Sequence, residues 1–98
     1  MAWFIKTESF CQPRELVAPH LREHLAWVKE LRQRGELVSS GYLVDAVGQP
    51  GGGGLMIFQA EDHAAAEALV SQDPMILGGC VTWQLQGWIP SVGDLRVV

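Results

Sequence analysis

Basic residues are scarce in this chain: seven Lys and Arg stand against eleven Asp and Glu, a formal net charge of −4 over 98 residues. Without a basic run there is no electrostatic means of holding a phosphate backbone, which disfavours nucleic acid as a partner. Cysteine is scarcer still. Cys11 and Cys80 are too few and too far apart for a CxxC redox pattern, a zinc ribbon or a secreted disulfide framework, and are expected as reduced, partly buried thiols. No apolar run approaches the roughly 20 residues that span a bilayer, and the first residues read at once as a strand rather than a signal peptide. A soluble, cytoplasmic protein is the expectation. Charged residues make up 18% against 48% hydrophobic, which argues against disorder and suggests that some apolar surface is buried on a partner chain. Size scaling gives a modest core, with roughly 65% of the unfolded surface buried. One domain over residues 1–98 is expected, with its core at about 2–88 and a C-terminal extension at 89–98.

Residues 2–8, rich in β-branched and aromatic side chains, read as a strand. A helix is predicted from about Pro19 to Arg34, with an apolar stripe of Leu21, Leu25, Val28 and Leu31 and Gly35 as its stop. Glu36–Val44 reads as a second strand, the Gln-Pro-Gly-Gly-Gly-Gly run at 49–54 as a mobile hairpin loop, and Leu55–Ala60 as a third strand. Asp62 is placed to cap a second helix that Asp73-Pro74 ends, and Cys80–Trp88 reads as the fourth strand. The tail from Pro90 to Val98 reads only as extended.

The order βαββαβ predicts a ferredoxin-like α+β sandwich, an antiparallel sheet with two helices on one face. Leu55 and Ile57 alternate with Met56 and Phe58, and Trp3 and Ile5 with Phe4, so both sheet faces are apolar. A half-solvated sheet would alternate apolar with polar residues. The helix-free face is therefore expected to meet a second copy, giving a homodimer. Trp3, Trp27, Trp83 and Trp88 are expected mainly in the core or that interface, with one or two available to wall a pocket for a flat organic ligand.

His20-Leu21-Arg22-Glu23-His24 matches the H-x-x-E-H pattern of inverted zinc peptidases, and histidines four apart share a helix face. A third ligand and a substrate cleft are hard to build in a chain this short, and no metal is expected. The glycine run leads into a strand with no following Lys-Ser/Thr pair, so it is no phosphate cradle, and no cofactor signature is present. His24 is more informative. It falls inside the packing stripe, where an imidazole needs a hydrogen-bond partner. Asp73 or Asp45 could supply a carboxylate to hold it, either as a structural bond or as the orienting group of an acid–base residue. Asp73 read as a helix C-terminus would meet an unfavourable dipole, which an imidazolium or a ligand would offset.

His24-Leu25-Ala26-Trp27, Gly41-x-Leu43-x-Asp45 and Asp73-Pro74, in this order and spacing, resemble the YciI-like (YCII-related) family over roughly residues 2–88. The resemblance implies a dimeric α/β-barrel protein of the ferredoxin-like class with a His–Asp active-site pair mapping onto His24 and Asp73. The family's activity is mostly undefined, and one branch is associated with dehalogenation of a chlorinated hydroxyaromatic. This chain departs from the family pattern at Tyr42, where Pro is usual, at Met75, where an aromatic is usual, and at Leu21, where Arg is usual. The expected function is proton transfer or elimination on a small cyclic or aromatic compound, an organic acid or phenol. His24 would be the acid–base residue, Asp73 its orienting group, and Ser40, Gly41, Tyr42 and Asp45 the pocket lining. The alternative is a dimeric ligand-binding or assembly module in which the His–Asp pair is purely structural.

Overall fold

The computed structural model describes residues 1–93, so residues 94–98 of the predicted extended tail lie outside the described part. The elements are β1 (Ala2–Phe10), α1 (Arg14–Gln33), β2 (Val38–Val44), β3 (Pro50–Ala60), α2 (His63–Val70), α3 (Pro74–Leu77) and β4 (Val81–Trp88). The four strands form one sheet in the order β2-β3-β1-β4, with every neighbouring pair antiparallel. This is the expected ferredoxin-like arrangement. Val28 and Leu31 of α1 and Ala66 and Val70 of α2 pack on Phe4, Met56 and Phe58, so both helices cover one face of the sheet.

Three local expectations are corrected. The first concerns α1, which begins at Arg14, with Pro19 inside it rather than at its start. An internal proline forfeits a backbone hydrogen bond and crowds the preceding turn. Extending the helix nevertheless lets Val17 join a buried cluster with Met75, Cys80 and Val81. Burial of one such side chain contributes about 1.5–3 kcal/mol, comparable to the cost of the proline. The inward stripe is thus Val17, His24, Val28 and Leu31, whereas Leu25 is exposed.

The glycine run is the second correction. It forms the first half of β3, and the turn lies earlier, at residues 45–49. There Asp45 Oδ1 accepts the backbone N–H groups of Val47 at 2.9 Å and Gln49 at 3.0 Å, and Gly48 takes a left-handed φ of 83°. The glycines are needed for close approach. A Cβ at Gly53 would stand 2.7 Å from the Glu8 carbonyl oxygen, and one at Gly54 would press at 3.4 Å on the Glu8 side chain.

The third is Asp73, which does not end a helix but starts one. It is the N-cap of α3, its side chain accepting the Met75 N–H, and Pro74 occupies the first turn, where its missing donor costs nothing. The expected clash with a helix dipole is absent because the sign is reversed.

On the helix-free face Trp3 pairs directly with Trp88, Ile5 with both Ile57 and Gln86, and Thr7 with both Leu55 and Gln84. Trp3, Ile5, Leu55, Ile57 and Trp88 are half-buried there, while Trp27 and Trp83 pack against the core on the other side. No helix among the described residues is long and apolar enough to cross a membrane.

A candidate active site beneath the first helix

Side chains alternate across a strand, so Lys6 and Glu8 share the face of β1 that Phe4 presents to the helices. All three are buried. A charged residue placed there must be paired, and the pairing partners come from distant parts of the chain. Lys6 Nζ donates to Asp73 Oδ2 and lies 2.8 Å from Glu8 Oε1. Asp73 Oδ1 accepts the Met75 backbone N–H at 2.9 Å and faces His24 Nδ1 at 2.8 Å. His24 Nε2 lies 2.9 Å from Ser40 Oγ on β2. Asp73 is fully buried and His24 nearly so, and among the described residues no buried side-chain N or O lacks a partner.

The electrostatics follow from this wiring. Burial pushes the Asp73 carboxyl up, but the hydrogen bond from His24 and the Lys6 ammonium outweigh it, holding the group below its ordinary value of 3.8. Asp73 is therefore a carboxylate at neutral pH, so Nδ1 of His24 carries a proton and donates it. Nε2 then accepts from the Ser40 hydroxyl when the ring is neutral and donates when it is charged. Ser40 is at the solvent side of this chain, so the imidazole can exchange protons in that direction only.

A solvent-open cleft of about 380 Å³, including its mouth, reaches this ring. Its polar wall is Glu8, His24 and Ser40, and its apolar wall is formed by Phe10, Leu21, Leu25, Tyr42 and Met75. The residues expected to form the site thus divide. His24 and Asp73 are hydrogen-bonded, Ser40 touches His24, and Gly41 and Tyr42 line the cleft. Asp45 does not join them, because both of its turn hydrogen bonds hold it in the exposed β2–β3 hairpin. His20 lies against Gly78, where a Cβ would come within 2.7 Å of its ring, while both ring nitrogens of His24 face protein partners. No cluster of three or more metal-ligating side chains occurs among the described residues.

Lys6 and Glu8 are the residues that sequence reasoning missed. Strand parity was the available signal, since it sets both on the face of Phe4. The cysteines are free, with Cys80 buried and its thiol pushed up by that burial, by Cys11 and by Glu8, which makes it a poor nucleophile.

A ferredoxin-like α+β sheet carrying a buried His–Asp–Lys set beside a solvent-open cleft is the class of protein that this fold and this geometry define. The YCII-related domain model matches residues 2–84, and the chain belongs to that family. Among curated proteins none matches significantly. Among solved structures, the 5-chloro-2-hydroxyhydroquinone dehydrochlorinase of Burkholderia phenoliruptrix AC1100, in complex with 2,5-dihydroxybenzoquinone, superposes with a TM-score of 0.65 at 18% identity, covering 90% of this chain and 95% of that one. An antibiotic biosynthesis monooxygenase-like protein from Deinococcus radiodurans gives 0.53 at 18% identity over 98% of this chain and 100% of its own. A dimeric ferredoxin-like protein from an uncultured marine organism gives 0.49 at 17% identity, over 94% and 100% respectively. The first two likenesses establish a shared fold.

Proposed function

We propose that this protein is a small-molecule enzyme that carries out proton transfer or elimination on a small cyclic or aromatic compound. The observation that carries the reading is a nearly buried imidazole, hydrogen-bonded to a buried carboxylate at 2.8 Å, that one solvent-open cleft reaches. His24 takes the substrate proton at Nε2, either directly once Ser40 turns aside or through the Ser40 hydroxyl. Asp73 fixes the tautomer by holding Nδ1–H and stabilises the imidazolium that forms. The proton then returns to a neighbouring substrate atom, or a leaving group departs with the electron pair. Chemistry of this kind on a hydroxylated ring is what the name of the Burkholderia structure attributes to that protein. Gly41 and Tyr42 line the cleft beside the reacting group. The cytoplasm is the proposed location.

The same bonds hold the fold together, so the deciding comparison is turnover against stability. His24→Ala and His24→Gln are expected to lose about 10²–10⁴-fold in turnover on a panel of phenols, enols and halogenated ring compounds. Their unfolding free energy is expected to fall by only about 1–3 kcal/mol, because Asp73 keeps its other donors. Turnover equal to wild type in both variants would assign the pair to structure and favour a non-catalytic module.

Self-association through the helix-free face belongs to the same reading. The Trp3–Trp88 pair with Ile5, Leu55 and Ile57 forms a half-buried apolar patch flanked by Gln84 and Gln86, which can hydrogen-bond across a two-fold axis. Light scattering is expected to give twice the 10.8 kDa chain mass, and Ile57→Asp to return it to one. A monomeric wild type at micromolar concentration contradicts this.

A further inference from the structure

The cleft contains a carboxylate and no cation to match a second one. Its lining includes Glu8 but neither Lys nor Arg. Lys6, the cation behind this wall, is fully buried and shared between Glu8 and Asp73. With a neutral His24 the set Lys6, Glu8, Asp73 and His24 carries one net negative charge, and with an imidazolium it carries none. An anionic ligand therefore meets either like charge or a cation that is already committed.

Glu8 is held where it can act on a ligand. Its backbone sits in the middle of the sheet, Lys6 binds its Oε1, and its side chain lies against Gly54 of β3. A carboxylate offers about four acceptor positions, and Lys6 uses part of that capacity. The remainder is available beside the apolar wall of Phe10, Leu21 and Tyr42. A ligand cation is a weaker fit than a hydroxyl, because it would have to compete with Lys6 for the same charge.

We infer that Glu8 is a specificity-determining residue of this site, accepting a hydrogen bond from a ring hydroxyl of the ligand and rejecting ring carboxylates. This rests on the proposed function and narrows it: of the organic acids and phenols expected from the sequence, the geometry selects uncharged, hydroxyl-bearing rings.

The test is binding, measured by NMR titration, of resorcinol against 3-hydroxybenzoate, which differ by one hydroxyl replaced with a carboxylate. Wild type is expected to favour resorcinol by about tenfold or more. Glu8→Gln keeps an acceptor for Lys6 and removes the charge, and is expected to shrink that preference to less than about threefold. Glu8→Met, which removes the same charge and leaves the Lys6 ammonium paired with Asp73, is expected to do the same and covers the case in which Glu8→Gln folds poorly. The inference is overturned by equal or tighter binding of 3-hydroxybenzoate to wild type, by an unchanged ratio in both variants, or by no saturable binding of either ring. It is also overturned if 3-(aminomethyl)phenol binds more tightly than resorcinol and loses that advantage in Glu8→Gln, since Glu8 would then be a counter-ion. An unchanged ratio alongside a His24-dependent turnover defeats this inference alone. The expected ratio alongside His24-independent turnover defeats only the catalytic reading.

Discussion

Asp73→Ala is expected to lose about 3–5 kcal/mol of stability at neutral pH, the cost of breaking a buried ion pair from one side. Against a typical total of about 5–15 kcal/mol for a domain, this leaves the variant partly unfolded at ambient temperature. The size follows from what Asp73 satisfies at once: the Met75 N–H that begins α3, the Lys6 ammonium and the His24 ring. Alanine removes an acceptor from all three, leaving Lys6 with Glu8 and His24 with Ser40. Asn is no remedy, because its NH₂ group would meet a second donor at either Lys6 or the Met75 N–H. Urea denaturation at pH 7 measures the loss, and one below about 1 kcal/mol would mean that water satisfies these donors in the folded protein. Acid titration supplies an internal control. The Asp73 carboxyl is held below 3.8 in the folded state. Its contribution is therefore complete above the ordinary carboxylate value and disappears as pH falls through the lower folded value. The gap between wild type and Asp73→Ala is expected to be constant near neutrality and to narrow only in strong acid.

The sequence made His24 and Asp73 legible for different reasons. Helical spacing put His24 between Leu21 and Val28 on the packed face, and the Asp-Pro step marked a helix boundary at Asp73 without its sense, since it opens α3. Each could be placed without knowing the other. Asp45 carried equal weight as a partner because helical spacing says nothing about which distant loop comes near. Only the hairpin turn, set by Asp45 with Val47 and Gln49, removed it. The glycine run misled for a physical reason. Glycine enters a strand when another group needs the space, and at Gly53 that space is taken by the Glu8 backbone carbonyl of the neighbouring strand. Nothing in the local sequence required Gly53 and Gly54 to be a strand, because the group they approach comes from β1. Pro19 is a different case, where local preference was real but smaller than the burial gained by extending α1 to Val17.

Lys6→Met gives the second large effect and reverses the pH dependence. Methionine matches the length of the Lys6 stem and suits a position flanked in the sheet by Met56 and Leu85, so packing should survive. The charge balance does not survive. Glu8 and Asp73 are left buried with no ammonium between them, a loss expected to cost about 3–5 kcal/mol at pH 7. Of the contributions that act on Asp73, burial is the largest and raises its pKa, and two of the four that oppose burial come from Lys6. With those two removed, burial dominates and the carboxyl moves upward. A group whose folded pKa lies above its unfolded value gains stability as pH falls through the folded value. Lys6→Met is therefore expected to gain stability as pH falls from neutrality toward the ordinary carboxylate range, where the depressed carboxyl of the wild type contributes no slope. Thermal melts in a series of buffers at fixed ionic strength separate the possibilities. A variant that loses stability on acidification in parallel with wild type would show that Lys6 is not the cation that keeps the Asp73 carboxylate charged. The orientation of His24 by Asp73 would then need another source for that charge.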